Sequence, residues 1–337
     1  MKKVSAVLVA ALVILAVPGL LAAKGGQEVT REFSGIRSID IETVSGDLTV
    51  TAHGSDDVVV ELYYDVEPEK NFDYDIKERS GRLHIEEEWR GNSSGEVRWI
   101  LRVPAGMEIG FSTASGDFSV EGVSGEIKVS TASGDIEIID AGGEIDATTA
   151  SGDVRLTRVR GDNDISTASG DIYIEDCDEG VELSTASGDI EAVRVSGRIR
   201  LSTASGDVEA EDCRGEFSLS TASGSVEARG ITIEGGSRFS TASGSVDVSL
   251  EKSSEYDLEL STASGDVTLD YDGNELTGYF EFEARDRRGR IGSPYDFDGE
   301  EKFERYGQDY VRKWFSRKGE EPEVTMTTAS GTVTLKK

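Results

Sequence analysis

Six aspartates recur at one interval: Asp117, Asp135, Asp153, Asp171, Asp189 and Asp207, each 18 residues after the last. Carboxylates repeated at a fixed spacing support two chemistries. A column of hard oxygen donors binds calcium. An aspartate at a tight turn accepts backbone N–H groups instead. If successive copies lie one strand spacing apart, about 4.8 Å, each adjacent pair repels by about 0.9 kcal/mol in water. Something must offset that repulsion: backbone donors, neighbouring hydroxyls or Ca²⁺. The column ends in Ser225 and Ser245, and a serine suits turn chemistry better than an ion site. A threonine column runs beside it from Thr113 to Thr262. On the face of a sheet it would form a solvated hydroxyl ladder, suited to ordered water or sugar. Catalytic constellations are lacking. The two histidines, His53 and His84, have no cysteine or histidine at metal spacing. No Gly-x-Ser-x-Gly elbow with a histidine is present. Acidic pairs are too common to single out a general acid and base. The expectation is a protein that is not an enzyme and has no cofactor, with a Ca²⁺-binding module as the alternative and a carbohydrate-active β-helix enzyme as a weaker one.

These aspartates close a longer phrase, Ser-Thr-Ala-Ser-Gly-Asp. It begins at Ser112 and returns at Ser130, Thr148, Ser166, Ser184, Ser202 and Ser220, with looser copies at Ser240, Ser261 and Thr327. A fixed period of this length marks a stacked repeat. Glycines fall every nine residues inside it: Gly125, Gly134, Gly143, Gly152, Gly161 and Gly170. Each 18-residue coil is therefore two half-coils, each opening on a glycine corner. Apolar residues take the third, fifth and eighth places, as in Ile127, Val129 and Ala132, then Ile136, Ile138 and Ala141. A spacing of two is strand alternation. The fold class is all-β: a parallel β-solenoid, β-helix-like, of about 18-residue coils across 112–270. Asn163 stands at an inward third place and must find a hydrogen-bond partner.

The chain carries 35 basic and 66 acidic residues, for a net charge of −31. That charge repels phosphate backbones, so nucleic acid is excluded as a partner. A hydrophobic content of 36% suits a thin, elongated core. Cys177 and Cys213 are two periods apart, with Val195 between them in the same column. Two strand spacings put their Cα atoms about 9–10 Å apart, beyond the reach of about 7 Å for a disulfide. They read as two buried free thiols.

The ends differ from the middle. Lys2 and Lys3 precede an apolar run from Val4 to Ala23. Residues 1–23 read as a signal peptide, cleaved after Ala22 or Ala23, or as a retained anchor. Both place the rest outside the cytoplasm: periplasmic, at the cell surface or secreted. Membrane contact is expected only through that segment, if it is retained. Residues 27–111 hold strand candidates at 58–66, 73–78, 83–88 and 97–103, and a degenerate motif at Val44-Ser45-Gly46-Asp47. They form irregular first coils or a cap that covers the open strand edge. Residues 271–323 are rich in aromatics. Phe303, Tyr306, Tyr310 and Trp314 are spaced by three and four, which predicts a short amphipathic helix over 300–316. Its aromatic face either closes the last rung or, through Tyr306, Tyr310 and Trp314, binds a partner or carbohydrate. Residues 324–337 form a final strand pair.

The repeated Thr-Ala-Ser-Gly-Asp phrase, the lead-in Trp99-Ile100-Leu101-Arg102-Val103-Pro104 and the closing Val324-Thr325-Met326-Thr327-Thr328-Ala329-Ser330-Gly331 together resemble the bacterial putative-adhesin family of β-strand-repeat proteins of unknown function. The resemblance covers most of the chain after residue 23. It implies an exported, non-enzymatic β-solenoid of the cell envelope or surface, meeting an envelope or surface protein or polysaccharide. It supplies no catalytic residues. The stretch 290–318 departs from the family pattern.

Overall fold

The computed structural model describes residues 26–337; the expected signal segment lies outside them. Each coil of the regular zone contributes one strand to each of two facing parallel sheets. In one sheet Ile127–Thr131 pairs in register with Ile145–Thr149, and that strand with Asn163–Thr167. In the other, Ile136–Ile139 pairs with Val154–Thr157 and then with Ile172–Glu175. The register partners are 18 residues apart up to the coil that holds Ser220, as the repeat demands, and 20 and then 21 apart in the looser copies that follow. Alternation sends Ile127, Val129, Ile136 and Ile138 inward, where they are fully or almost fully buried. Lys128 and Glu137 face solvent. Neither sheet would be stable alone; the aliphatic columns meeting between them bind coil to coil.

The inward pattern departs from expectation at one place. Ala132 and Ala150 are exposed, and Thr131 and Thr149, one residue earlier, are buried. Strand alternation continues one step further than a bend at the alanine allows, so the threonine takes the inward slot. The eighth place of the other half-coil does turn inward, at Ala141, Val159, Cys177, Val195 and Cys213. The two thiols are free and buried. Burial pushes each up to about 11. Asn163 is 3% exposed; its Nδ2 donates to Gly161 O at 2.6 Å and to Gly180 O at 3.4 Å, while its Oδ1 has no partner.

Both ends fold back by the same device. Near the N-terminus the coil 38–53 lies against 108–121 on one side and against 82–104 on the other. The earlier segment is thus inserted under the later one. Antiparallel strands complete this end: Phe72–Arg79 pairs with Arg82–Trp89, and Asp57–Glu67 lies between Ser94–Pro104 and Gln27–Ser34. Residues 27–111 are therefore both early coils and a cap. At this end Glu87 substitutes for the repeat motif. It is 5% exposed and accepts from Trp99 Nε1 at 2.6 Å, Trp89 Nε1 at 3.1 Å and Val44 N at 3.1 Å.

At the other end the final strands Glu323–Thr328 and Thr332–Lys336 insert between the coil 258–270 and an outer layer made of Gly278–Arg285 and Arg290–Gly292. Beyond lies no helix. Residues 300–316 belong to two antiparallel strands, Gly299–Arg305 and Gln308–Arg317, turned by Tyr306-Gly307. Both turn residues have positive φ, 53° and 71°, as a two-residue hairpin requires. The spacing of three and four arose from two strands read as one run. Phe303 and Tyr310 are cross-strand partners. Val311, Lys313 and Phe315 share one face of the strand and Tyr310, Arg312 and Trp314 the other; of these only Phe315 is buried, the rest being half-buried. Phe315 stacks on Phe280 and Phe282, and Tyr295 and Phe297 cover it edge-on or tilted. This aromatic cluster closes the core.

The corner after each long strand leaves no space for a side chain. A Cβ on Gly170 would overlap the Gly152 carbonyl oxygen, whereas Gly236 has nothing within 4 Å. Gly170→Ala should therefore lower stability by about 2–3 kcal/mol, and Gly236→Ala should change it by less than about 0.5 kcal/mol. Urea unfolding midpoints of the two variants check the contrast.

Candidate functional surfaces

The aspartate column lies along the corner between the two sheets. Each carboxylate accepts from the backbone of the next coil. Asp117 Oδ1 receives Asp135 N at 2.9 Å, Asp135 Oδ1 receives Asp153 N at 2.9 Å, and Asp153 Oδ1 receives Asp171 N at 2.9 Å. Asp171, Asp189 and Asp207 repeat the contact at 2.8, 2.8 and 2.7 Å, the last with Ser225 N. The column begins earlier than the regular repeat, since Asp47 Oδ1 takes Asp117 N at 3.0 Å. It ends later, since Asp266 Oδ1 takes Thr332 N. Each of these hydrogen bonds has an ionised acceptor, the stronger kind, and it offsets the repulsion along the column. Among the described residues, no group of three or more His, Cys, Asp or Glu is arranged to hold a metal ion.

The threonine column is not a solvent ladder. Thr149, Thr167, Thr185 and Thr203 are buried. Their hydroxyls donate to the carbonyls of Gly134, Gly152, Gly170 and Gly188 in the preceding coil, at 3.3, 3.3, 3.2 and 3.0 Å. Thr221, Thr241, Thr262 and Thr328 continue the pattern. From Thr149 onward aspartate and threonine thus satisfy the two backbone groups that a sharp corner removes from the sheet ladder, whereas the buried hydroxyls of Thr113 and Thr131 have no partner. The surface row beside the buried threonines consists of Ser112, Ser130, Thr148 and Ser166.

The opposite corner carries a feature that sequence reading passed over. Asp140, Arg158, Asp176, Arg194 and Asp212 occupy one column, all with φ between 52° and 56°. That conformation disfavours residues other than Gly, Asn or Asp. Alternating charge accompanies it. Arg158 binds both oxygens of Asp140, at 2.5 and 2.8 Å, and Arg194 binds both of Asp176, at 2.6 and 3.2 Å. The signal was in the sequence: Asp, Arg, Asp, Arg, Asp at steps of 18. The hydrogen bonds hold the Asp140 and Asp176 carboxyls below the usual range and raise the arginines. On the long-strand face Asp146, Asp164 and Glu182 are in-register neighbours. Desolvation and then the Glu182 and Asp146 charges raise Asp164.

The three aromatic partner candidates have different settings. The Trp314 indole covers Gly299 and is half-buried. Tyr310 stacks on Phe303 at 5.8 Å. Arg305 lies over both rings of that pair, and Arg312 over Phe303. Both arginines pair with Glu283, which is 5% exposed. Tyr306 alone stands free, 95% exposed. Of the two histidines, His53 meets Asp57 O at 2.7 Å and His84 lies 3.8 Å from Glu86, so they serve separate local contacts. The surface hollows are open; one of about 400 Å³ is lined by outward coil residues such as Asp146, Asp162, Asp164 and Arg200. No helix among the described residues is long and apolar enough to cross a membrane.

In-register parallel coils with a Thr…Gly corner bonded to its neighbours define a β-solenoid repeat protein. The chain belongs to the Toastrack DUF4097 family, which matches residues 36–209 and again 194–290. Solved structures similar to it include a "putative adhesin" from Parabacteroides distasonis, at 12% identity over 93% of this chain and 98% of that one, with a TM-score of 0.42. A "putative adhesin" from Bacteroides fragilis is similar at 13% identity over 94% and 99%, with a TM-score of 0.28. A "putative lipid binding protein" from Parabacteroides distasonis is similar at 12% identity over 92% and 97%, with a TM-score of 0.34. No curated protein matches the chain.

The two kinds of carboxylate should titrate with opposite effect. Asp140, with its value lowered below 3.8, stabilises the fold above that pH, and the contribution disappears as pH falls through the depressed value. Asp164, raised above 3.8, costs stability at neutral pH, and protonation relieves the cost as pH falls. At pH 7, Asp140→Asn should lower the thermal midpoint and Asp164→Asn should raise it. Both differences should shrink toward pH 3.

Proposed function

We propose that the protein is a non-enzymatic, extracytoplasmic spacer and docking element of the cell envelope or surface, adhesin-like in role. One observation carries this reading. The stack is periodic, and both ends are finished by the chain's own inserted coils and antiparallel strands. A capped stack does not lengthen by edge pairing, so it holds its termini at a set separation. Its flanks are rows of repeated small polar and charged side chains, with no convergent set of reactive groups among the described residues. The basic and then apolar start of the chain supports export. The "putative adhesin" names of the similar structures agree with a surface role for those proteins.

Such an element needs a contact surface away from the uniform flanks, and the hairpin Gly299–Arg317 is the part that departs most from the repeat. A pull-down of envelope fractions with the full mature chain should recover a protein or polysaccharide. A chain whose hairpin is shortened only at its turn, with the core-closing Phe315 kept, should recover little of it. Equal recovery by both would place docking on the flanks instead, and no recovery by either would contradict the docking role.

A further inference from the structure

The sheet that ends in the hairpin presents two turns side by side. Arg285 pairs with Tyr310, and Asp286 N donates to Asp309 O at 2.8 Å. The turn 286–289 therefore leaves the sheet at the same end as Tyr306-Gly307. Lys302 and Asp286 bridge the two at 3.5 Å. Four arginines, Arg285, Arg287, Arg288 and Arg290, fall within six residues here. Arg287, Arg288 and Arg290 are exposed. Among the described residues none of the four is in an ion pair, although the chain has 66 acidic residues and Arg305, Arg312 and Lys313 close by are all paired. A chain of net charge −31 thus carries, at the corner of its outermost layer, a cluster of guanidinium groups without acidic partners among the described residues.

Tyr306 fits its position on neither conformational nor hydrophobic grounds. Its φ of 53° suits Gly, Asn or Asp in a two-residue turn. At 95% exposure its ring gains nothing from burial. Among the described residues no aromatic or cationic group lies on it, and at that exposure both ring faces are open. Its neighbours Arg305, Gly307, Gln308 and Asp309 are not apolar. A membrane-inserting tip or a protein hot spot would need an apolar surround. A sugar ring needs one flat aromatic face with polar groups beside it.

We infer that this end binds an acidic polysaccharide, with a sugar ring against Tyr306 and the sugar carboxylates on Arg287 and Arg288. The guanidinium fork matches a carboxylate in two parallel hydrogen bonds. The acidic flanks repel any polymer segment that comes within about one Debye length, roughly 8 Å at physiological salt, so contact is confined to this end. This inference rests on the docking role proposed above and gives it a ligand chemistry.

Polygalacturonate is the probe, with dextran as the neutral polymer and phosphatidylglycerol vesicles as the membrane arm. Retention of the full mature chain on immobilised polygalacturonate is expected, falling as salt rises, with none on dextran. The double variant Arg287→Ala/Arg288→Ala should lose retention. Tyr306→Ala should weaken it at least tenfold, and Tyr306→Phe should not. Tyr306→Asn, which suits the turn better, should raise the unfolding midpoint and still lose binding, which separates the role of the ring from folding. Absence of retention, retention indifferent to these substitutions, or binding to vesicles in place of polygalacturonate would overturn the inference. If the envelope pull-down still succeeded through 299–317, the docking role would stand without it.

Discussion

Every coil must turn the same corner within one strand spacing of its neighbour, and at that corner there is no space for a side-chain atom. Glycine is the only residue that fits, because any Cβ would run into the carbonyl oxygen of the preceding glycine. Close approach solves packing but takes both polar groups of the peptide that follows the glycine, its own C=O and the next residue's N–H, out of the sheet ladder. A buried threonine hydroxyl takes the carbonyl, and the aspartate of the preceding coil takes the N–H. The motif is thus a self-consistent unit: glycine permits the contact, and threonine and aspartate satisfy the backbone groups it leaves over. Its residues are structural first. The aspartate row that most suggests an ion site is engaged by the backbone.

The rest of the architecture follows from that unit. Identical corners force identical strands into register, and register stacks the aliphatic residues in columns. It also stacks charges, which is the cost of any perfect repeat. The second corner avoids that cost by alternating Asp and Arg from coil to coil, even though its positive φ disfavours arginine. The long-strand face does not avoid it at Asp146, Asp164 and Glu182, where one carboxyl is pushed up. The ends need separate solutions because the corner has no neighbour there. Glu87 with two indoles serves at one end, and a packed aromatic cluster at the other.

Much of this was legible in the sequence. The 18-residue period gives register directly, since Ile127 must meet Ile145 if coils are identical. The separation of Cys177 and Cys213 follows from the same arithmetic. What escaped was whatever depends on a one-residue phase or on long-range order. Thr131 and Ala132 are adjacent, and only the point at which the strand bends decides which one turns inward. The hairpin was hidden because Phe303, Tyr306, Tyr310 and Trp314 satisfy helical spacing by accident of turn length. The Tyr306-Gly307 pair was the discriminating signal, and a tyrosine there masks it. The insertion of 38–53 beneath 82–104 has no local signature, because parallel neighbours leave no mark on either segment alone. Of the candidate contact residues, Tyr306 proved free, while Tyr310 and Trp314 lie against the sheet.

The layered stack makes a distance prediction that few other folds share. Ser112 and Ser202 are exposed and lie in one column, linked through Ser130, Thr148, Ser166 and Ser184. Spin labels on cysteines at these two positions leave the buried Cys177 and Cys213 unmodified, since both thiols are inaccessible and raised to about 11. Five strand spacings predict a narrow distribution centred near 24 Å, shortening by about 4.8 Å when the first label moves one coil to Ser130. A broad distribution, or a distance that does not change in steps of one strand spacing, would contradict the in-register stack.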